Sequence, residues 1–389
     1  MIPYGRQDIQ DADISAVLEV LKSDFLTQGP AVPRFEEFVA QQCQARRAVA
    51  VNSATSALHI ALLALGVGAG DIVWTSPNTF VASANAALYC GAKIDFVDID
   101  LTTYNMSVTA LEQKLINAER AGQLPKVVIP VHLAGQPCDM ERINVLAKRY
   151  SFQVVEDASH AIGAKYKGEP TGNCKYSDIT VFSFHPVKIV TTAEGGVAVT
   201  NDDFLAEQME LYRSHGVTRN PKLMRNPPDG SWYYEQVELG YNYRMTDIQA
   251  ALGLSQMQRL EAYITRRHEI ATRYDNELAE LSITLPFQEK FSFSAYHLYI
   301  IRLQLEASAP LTHAQLFHEL REHGILVNVH YIPVHTQPYY QSLGFTWGDF
   351  PNSEAYYRSA ISIPIFPKLK YCEQSKIINT LKKSLKNYV

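Results

Sequence analysis

The sequence predicts an α/β protein with a large, mostly parallel seven-stranded sheet domain followed by a smaller α+β domain. Three observations lead there. Seven short β-rich runs alternate with helical patterns in the first part of the chain, a turn-rich stretch from Thr218 to Gly240 interrupts the alternation, and a long helical pattern then opens a second set of strands.

The expected sheet strands are Ala48–Val51, Ile72–Thr75, Ile94–Val97, Val127–Val131, Gln153–Glu156, Ile179–Phe184 and Val197–Thr200. Helical segments separate several of them. Thr55–Leu65, for instance, carries Leu58, Leu62 and Leu65 along one face. Strands joined through helices form parallel sheets, and these bind ligands just beyond the carboxyl ends of their strands. Asn220-Pro221, Asn226-Pro227-Pro228 and Asp229-Gly230 mark the loop that follows. A helix from Thr246 to about Glu280 is expected next, then strands near Tyr296–Leu303 and Leu326–His330. These features divide the chain into a large domain over residues 1–255 and a small one over 256–389.

The composition, 47% hydrophobic and 19% charged over 389 residues, is that of a globular protein, and a net charge of −5 gives no support for nucleic-acid binding. The five cysteines are scattered and form no C-x-x-C pair, which fits a reducing cytoplasm better than a disulfide framework or a cysteine metal site. Neither an apolar leader nor a run of about 18 apolar residues is evident, so a cytoplasmic protein without membrane partners is expected. The twelve histidines form no H-E-x-x-H pattern, and no metal is expected.

Three segments carry chemistry. Asn52-Ser53-Ala54-Thr55-Ser56 follows a strand and opens a helix, where unpaired N–H groups suit a phosphate; capping by Ser53 or Thr55 is the plainer reading. Val154-Val155-Glu156-Asp157-Ala158-Ser159-His160 places an acid at the end of a buried strand. That position needs a partner to offset desolvation, unless Asp157 caps a following helix with His160 on its face. Phe182 to Gly196 is the most specific of the three. Lys188 follows a buried strand inside an apolar, hydroxyl-rich turn, where burial lowers an amine's pKa and readies it for a carbonyl.

These segments, together with Pro77-Asn78-Thr79-Phe80, His132-Leu133-Ala134-Gly135-Gln136-Pro137 and Gly240-Tyr241-Asn242-Tyr243-Arg244-Met245, occur in the order found in the DegT/DnrJ/EryC1/StrS sugar aminotransferases. The chain resembles that family over nearly its whole length. The resemblance implies the aspartate-aminotransferase-like fold (type I) and pyridoxal 5′-phosphate (PLP) as cofactor. It further implies that Lys188 is the catalytic residue and holds the cofactor as a Schiff base, and that Asp157 pairs with the pyridine nitrogen. Phe80 would stack on the ring, His160 would lie near its face or O3′, and Ala54, Thr55 and Ser183 would hold the phosphate. Asn242 would reach the phosphate of the other subunit, making a homodimer with shared sites.

Closer matches at Tyr4, Phe25–Gly29, Arg213–Gly216, Val329–Tyr331 and Pro333 resemble the subgroup that aminates C4 of UDP-linked 4-keto-6-deoxy-N-acetylhexosamines. By that resemblance Tyr4, Asp24, Phe25, Leu26, Thr27, Ala54, Ser183, Asn242, Asn328, Val329, His330 and Tyr331 would contact substrate, and glutamate would supply the amine. Ala193 stands where many members carry glycine. Arg219, Lys222 and Arg225, in the turn-rich loop, are further candidates for gripping a diphosphate. Amination of another nucleotide-linked 4-keto sugar, or a PLP-binding regulatory role without turnover, are the alternatives. Lys188 itself separates the chain from the family's dehydratases, which carry histidine there.

Overall fold

The computed structural model describes residues 1–304 and 312–386. Its centre is a seven-stranded sheet of β1 (Arg47–Val51), β2 (Ile72–Thr75), β3 (Lys93–Phe96), β4 (Val127–Ile129), β5 (Gln153–Asp157), β6 (Ile179–Ser183) and β7 (Gly196–Thr200). The spatial order is β1-β7-β6-β5-β4-β2-β3. All neighbours run parallel except β7, which is antiparallel to both β1 and β6. The mostly parallel sheet expected from the sequence is present.

Both faces of the sheet are covered, which is why its strands read as nearly continuous apolar runs. In β1, Val49 and Val51 join the cluster built on helices α3 (Ala54–Ala64), α4 (Ala82–Tyr89) and α7 (Asp203–Arg213). Ala48 and Ala50 point the other way, toward Phe35 and Val39 of α2 (Ala31–Cys43) and Ala250 of α8 (Asp247–Met257). Strand alternation thus feeds two cores from one sheet. A third cluster, with Trp74, Val128 and Val154, packs under α5 (Val108–Ala121) and α6 (Met140–Tyr150). Burying side chains such as Leu58 or Phe35 contributes about 1.5–3 kcal/mol each.

The helix expected from Thr246 to about Glu280 is two helices. Helix α8 ends at Met257 and α9 runs Leu260–Leu278, because Arg259 leaves helical geometry at φ −106°, ψ 8°. No glycine or proline marks the break. It lies beside a buried carboxylate of α1 (Asp11–Leu21): both oxygens of Asp13 accept from Arg259 Nη2 (2.8 and 2.7 Å), Oδ1 also from Ser255 Oγ (2.6 Å) and Oδ2 from Gln256 Nε2 (2.7 Å). Beyond α9, a three-stranded antiparallel sheet of β8 (Ile283–Thr284), β9 (Tyr299–Leu303) and β10 (Ala360–Ile363) has its own apolar core against α9, α10 (His313–Glu322) and the C-terminal helix Tyr371–Lys386.

The strand expected at Leu326–His330 is shorter. Only Ile325–Leu326 pairs, in parallel with Ile2–Pro3, while Asn328 makes an isolated bridge to Ser362. This pairing carries the chain start to the 325–331 segment, and Ile365 N–H donates to Tyr4 O at 3.1 Å. No helix of the described residues is long and apolar enough to cross a membrane.

Candidate active site

At the carboxyl ends of the parallel strands lies a cavity of about 610 Å³. Residues from β5, β6, the first turn of α3, the chain start and the 328–331 segment line it together.

Lys188 enters from the loop between β6 and β7. That loop is closed on itself: Phe184 N–H donates to Gly195 O and Thr192 N–H to Phe184 O, both at 2.9 Å, and Thr191 Oγ1 also donates to Phe184 O. Lys188 opens partly onto the cavity, but the protein packed around its amine pulls its pKa down by burial to about 8, against the opposing effect of Asp157. A substantial neutral fraction follows at neutral to mildly basic pH.

Asp157, the last residue of β5, is 5% exposed. Its Oδ2 accepts from Ser83 Oγ at 2.6 Å and its Oδ1 from Ser159 N–H at 3.1 Å. No helix follows it; residues 158–164 form turns, and the reading of Asp157 as a helix cap is set aside. The neighbouring Glu156 points elsewhere, meeting His132 Nε2 at 2.7 Å in the interior.

The start of α3 also lines the cavity. Ser53 is the cap, accepting from Ser56 N–H at 3.1 Å, and Ala57 N–H donates to Ser53 O. That arrangement leaves the N–H groups of Ala54 and Thr55 outside the helix's own ladder, with the positive end of its dipole behind them. Gly196 makes the cradle possible. A Cβ there would lie 2.5 Å from Ala54 N, so only glycine lets β7 start this close to the helix.

A wall of rings closes the third side. His160 is 5% exposed; its Nδ1 accepts from Ala134 N–H at 3.3 Å and its Nε2 meets Tyr331 Oη at 3.0 Å. Burial first, then Lys188 and His330, hold its pKa well below the ordinary histidine value, so it is a neutral imidazole. His297 packs against it, with ring centroids 4.3 Å apart and planes tilted by 40°, and burial above all holds its pKa well below the ordinary histidine value, so it too is a neutral imidazole. Gly135 (φ +102°) permits this approach: a Cβ would lie 2.9 Å from His160 O and 3.1 Å from His297 N. His330 bonds Ser362 Oγ through Nδ1 at 2.8 Å, and burial lowers its pKa to about 3. Tyr4 and Tyr331 both have raised pKa values, chiefly through burial, and stay protonated.

Of the residues expected from the sequence, Tyr4, Ala54, Thr55, Phe80, Asp157, His160, Ser183, Lys188, Asn328, Val329, His330 and Tyr331 line this one cavity. Asp24, Phe25, Leu26, Thr27 and Asn242 do not. Leu26 O accepts from Asp247 N–H, Thr27 bridges Thr246, and Phe25 is 52% exposed. Asn242 bridges Ser214, and its carbonyl accepts weakly from Asn52 Nδ2 at 3.4 Å. The Arg219–Arg225 loop also stays outside, gathered by Glu235, which accepts from Arg225 N–H, Asn226 N–H and Tyr233 Oη. Sequence reasoning missed Ser83, which reaches Asp157 across 74 residues, and His297, which sits in a run read only as a strand.

The donor set suits PLP. It offers a carboxylate for a pyridinium nitrogen, a low-pKa amine for an aldehyde, and helix N–H groups with the Thr55 and Ser183 hydroxyls for a phosphate, while the exposed Phe80 ring stands on the wall.

Comparison with known proteins agrees. The sequence profile of the DegT/DnrJ/EryC1/StrS aminotransferase family matches residues 7–382. The UDP-4-amino-4,6-dideoxy-N-acetyl-β-L-altrosamine transaminase of Campylobacter jejuni is 37% identical over 385 residues, 98% of this chain and 96% of that protein. Among solved structures, Helicobacter pylori PseC, an aminotransferase of pseudaminic acid biosynthesis, superposes with a TM-score of 0.89 at 32% identity over all of both chains. The PLP form of Spr1654 from Streptococcus pneumoniae gives a TM-score of 0.90 at 33% identity, covering 100% of this chain and 99% of that one.

Proposed function

The chain belongs to the DegT/DnrJ/EryC1/StrS aminotransferase family, and from that premise we propose that it moves an amino group from glutamate to C4 of a UDP-linked 4-keto-6-deoxy-N-acetylhexosamine. It is a PLP-dependent sugar aminotransferase. The observation that carries the reaction type is the placement of Lys188, Asp157 and the open first turn of α3 on one cavity. The choice of sugar is supported by the 37% identity to the C. jejuni altrosamine transaminase over almost the full length of both proteins.

PLP, when bound, supplies an aldehyde that captures an amine and an electron sink that makes the adjoining C–H acidic. Lys188 Nζ would hold the aldehyde carbon, and Asp157, fixed by Ser83 and Ser159, would hold the pyridine nitrogen. Ala54, Thr55 and Ser183 would hold the phosphate, and Phe80 and His160 would bound the ring. Lys188, whose pKa burial brings down to about 8 in the cofactor-free protein, would serve as the base when it is not bonded to the cofactor. Its Nζ takes the proton from the donor's α-carbon and, in the second half of the cycle, delivers one to C4 of the sugar.

We assign residues 1–255 to a cofactor-binding domain and 256–389 to a small domain, and place the enzyme in the cytoplasm, in keeping with five unpaired cysteines. Since Asp24–Thr27 and Asn242 lie outside their own cavity, we assign them to the site of a second subunit in a homodimer. The basic Arg219–Arg225 loop is placed there too, as a grip on the nucleotide's diphosphate. The test is a panel of UDP-, dTDP- and GDP-linked 4-keto sugars, a UDP-4-keto-pentose included, incubated with the holoenzyme and glutamate. Amination of the UDP-N-acetyl sugar with release of 2-oxoglutarate is expected. Efficient amination of another member, with none of the UDP-N-acetyl sugar, overturns the choice of acceptor.

A further inference from the structure

One wall of the cavity is more basic than the holding of PLP requires. His297 lines the cavity and is 4% exposed, yet its Nδ1 has no hydrogen-bond partner. Behind it lies Arg267, 1% exposed, whose guanidinium rests on the carbonyls of Tyr296 (2.9 Å), His297 (3.2 Å) and Ile365 (3.0 Å). Carbonyls, not carboxylates, surround that cation, and its Nε is also unpaired. Lys188 and His330 complete the wall. Asp157, the acid of the cavity floor, is already engaged by Ser83 and Ser159.

A buried guanidinium that meets only carbonyls, with an imidazole that can donate an N–H in front of it, favours an anion, because its field is poorly screened away from water. Three anions enter this site during the reaction, and their chemistry separates them. The cofactor's phosphate belongs at the unpaired N–H groups that start α3. The nucleotide's diphosphate hangs from C1 of the sugar, across the ring from the carbon that reacts at Lys188. The α-carboxylate of an amino-acid donor is bonded to the very carbon that bears the transferred amine, so it must lie beside Lys188.

We propose that the His297 wall is the subsite for the carboxylate of the amino donor, with His297 as the residue that recognises it and Arg267 as the positioning residue behind. His297 donates an N–H to the carboxylate, and Arg267 fixes the backbone that carries the ring. The ring of His160, both of whose nitrogens are occupied by protein groups, packs against the imidazole at a tilt of 40° and supports it from the side. This assignment rests on the reading that the donor is an α-amino acid such as glutamate.

The test uses holoenzyme in both cofactor forms. Glutarate, which carries carboxylates but no amine, is titrated against the PLP form, and the 4-keto sugar against the pyridoxamine form, each followed by the cofactor's absorbance. His297→Phe keeps an aromatic ring against His160 and removes both nitrogens. It should raise the glutarate Kd and the glutamate KM by about ten- to a hundredfold, the contribution of one hydrogen bond to a charged group. The half-saturating concentration of keto sugar should stay within about twofold on the same grounds. His297→Asn, which restores an N–H, should recover part of the glutarate affinity, and it carries the test if the phenylalanine variant does not fold. Equal losses for glutarate and sugar, or unchanged glutarate binding in a folded variant, overturn the assignment alone. A wild-type enzyme that aminates the keto sugar with another amine but is inert to every α-amino acid overturns the donor reading together with it.

Discussion

The hydroxyl of Tyr331 lies 3.0 Å from Nε2 of His160, whose other nitrogen already accepts from Ala134 N–H. With Nδ1 occupied as an acceptor, the neutral ring carries its proton on Nε2 and donates it to Tyr331 Oη. The phenol's own proton is then free to point into the cavity, toward a bound carbonyl or hydroxyl. Tyr331→Phe should therefore lower kcat/KM for the keto sugar by about tenfold, the worth of one neutral hydrogen bond, with little change in melting temperature. Steady-state kinetics beside thermal unfolding checks this.

Lys188 makes a prediction about stability. Its folded pKa of about 8 lies below the ordinary lysine value of 10.5, so the unfolded chain binds more protons between those two pH values. Folding of the cofactor-free protein is thus penalised fully below pH 8, and the penalty fades as pH rises toward 10.5. Cofactor-free Lys188→Met should be more stable than the cofactor-free parent at pH 7 by about 1–3 kcal/mol, discounted because the lysine is partly exposed. The advantage should shrink above about pH 10. Urea titrations at the two pH values read both effects.

Ala193 adopts φ +67°, a left-handed geometry that costs a side-chain-bearing residue about 1–2 kcal/mol. Glycine at this position should leave the protein equally stable or up to about 1 kcal/mol more stable, since added chain entropy in the unfolded state offsets part of the relief. Ala193→Val should cost about 1–3 kcal/mol, because a β-branched residue fits that geometry worst. Chemical denaturation separates the two variants.

The position of Asn242 outside its own cavity gives a complementation test. Lys188→Ala and Asn242→Ala should each be severely impaired as homodimers. A mixed dimer that shares residues across its interface contains one intact site, so co-expression should recover a substantial fraction of the activity. Verified mixed dimers with no recovery would count against a shared site.

The seven strands of the sheet were legible because a doubly covered parallel sheet needs continuous apolar runs, and Val127–Val131 or Ile179–Phe184 can hardly be read otherwise. Lys188, Asp157 and Ser53 could be set at the carboxyl edge by the same local logic: each follows or ends a strand. The misses share one cause, which is distance along the chain. Ser83 meets Asp157 only because α4, packed against β2 and β3, brings it to the end of β5, and Arg259 leaves its helix beside Asp13, 246 residues away. His297 looked like one more residue of a strand, and its free nitrogen exists only because Gly135 lets two loops close on each other. The 326–330 segment lacks a partner strand beyond Leu326, which its composition does not reveal.

The central claim, that Lys188 carries the cofactor and drives the transfer, is tested most directly by reducing the yellow holoenzyme with borohydride and mapping the labelled peptide. The account predicts a single pyridoxyl group on Lys188, and no labelling together with loss of transamination in a folded Lys188→Ala variant. A pyridoxyl group on any other lysine, or transamination that survives the loss of Lys188, contradicts it.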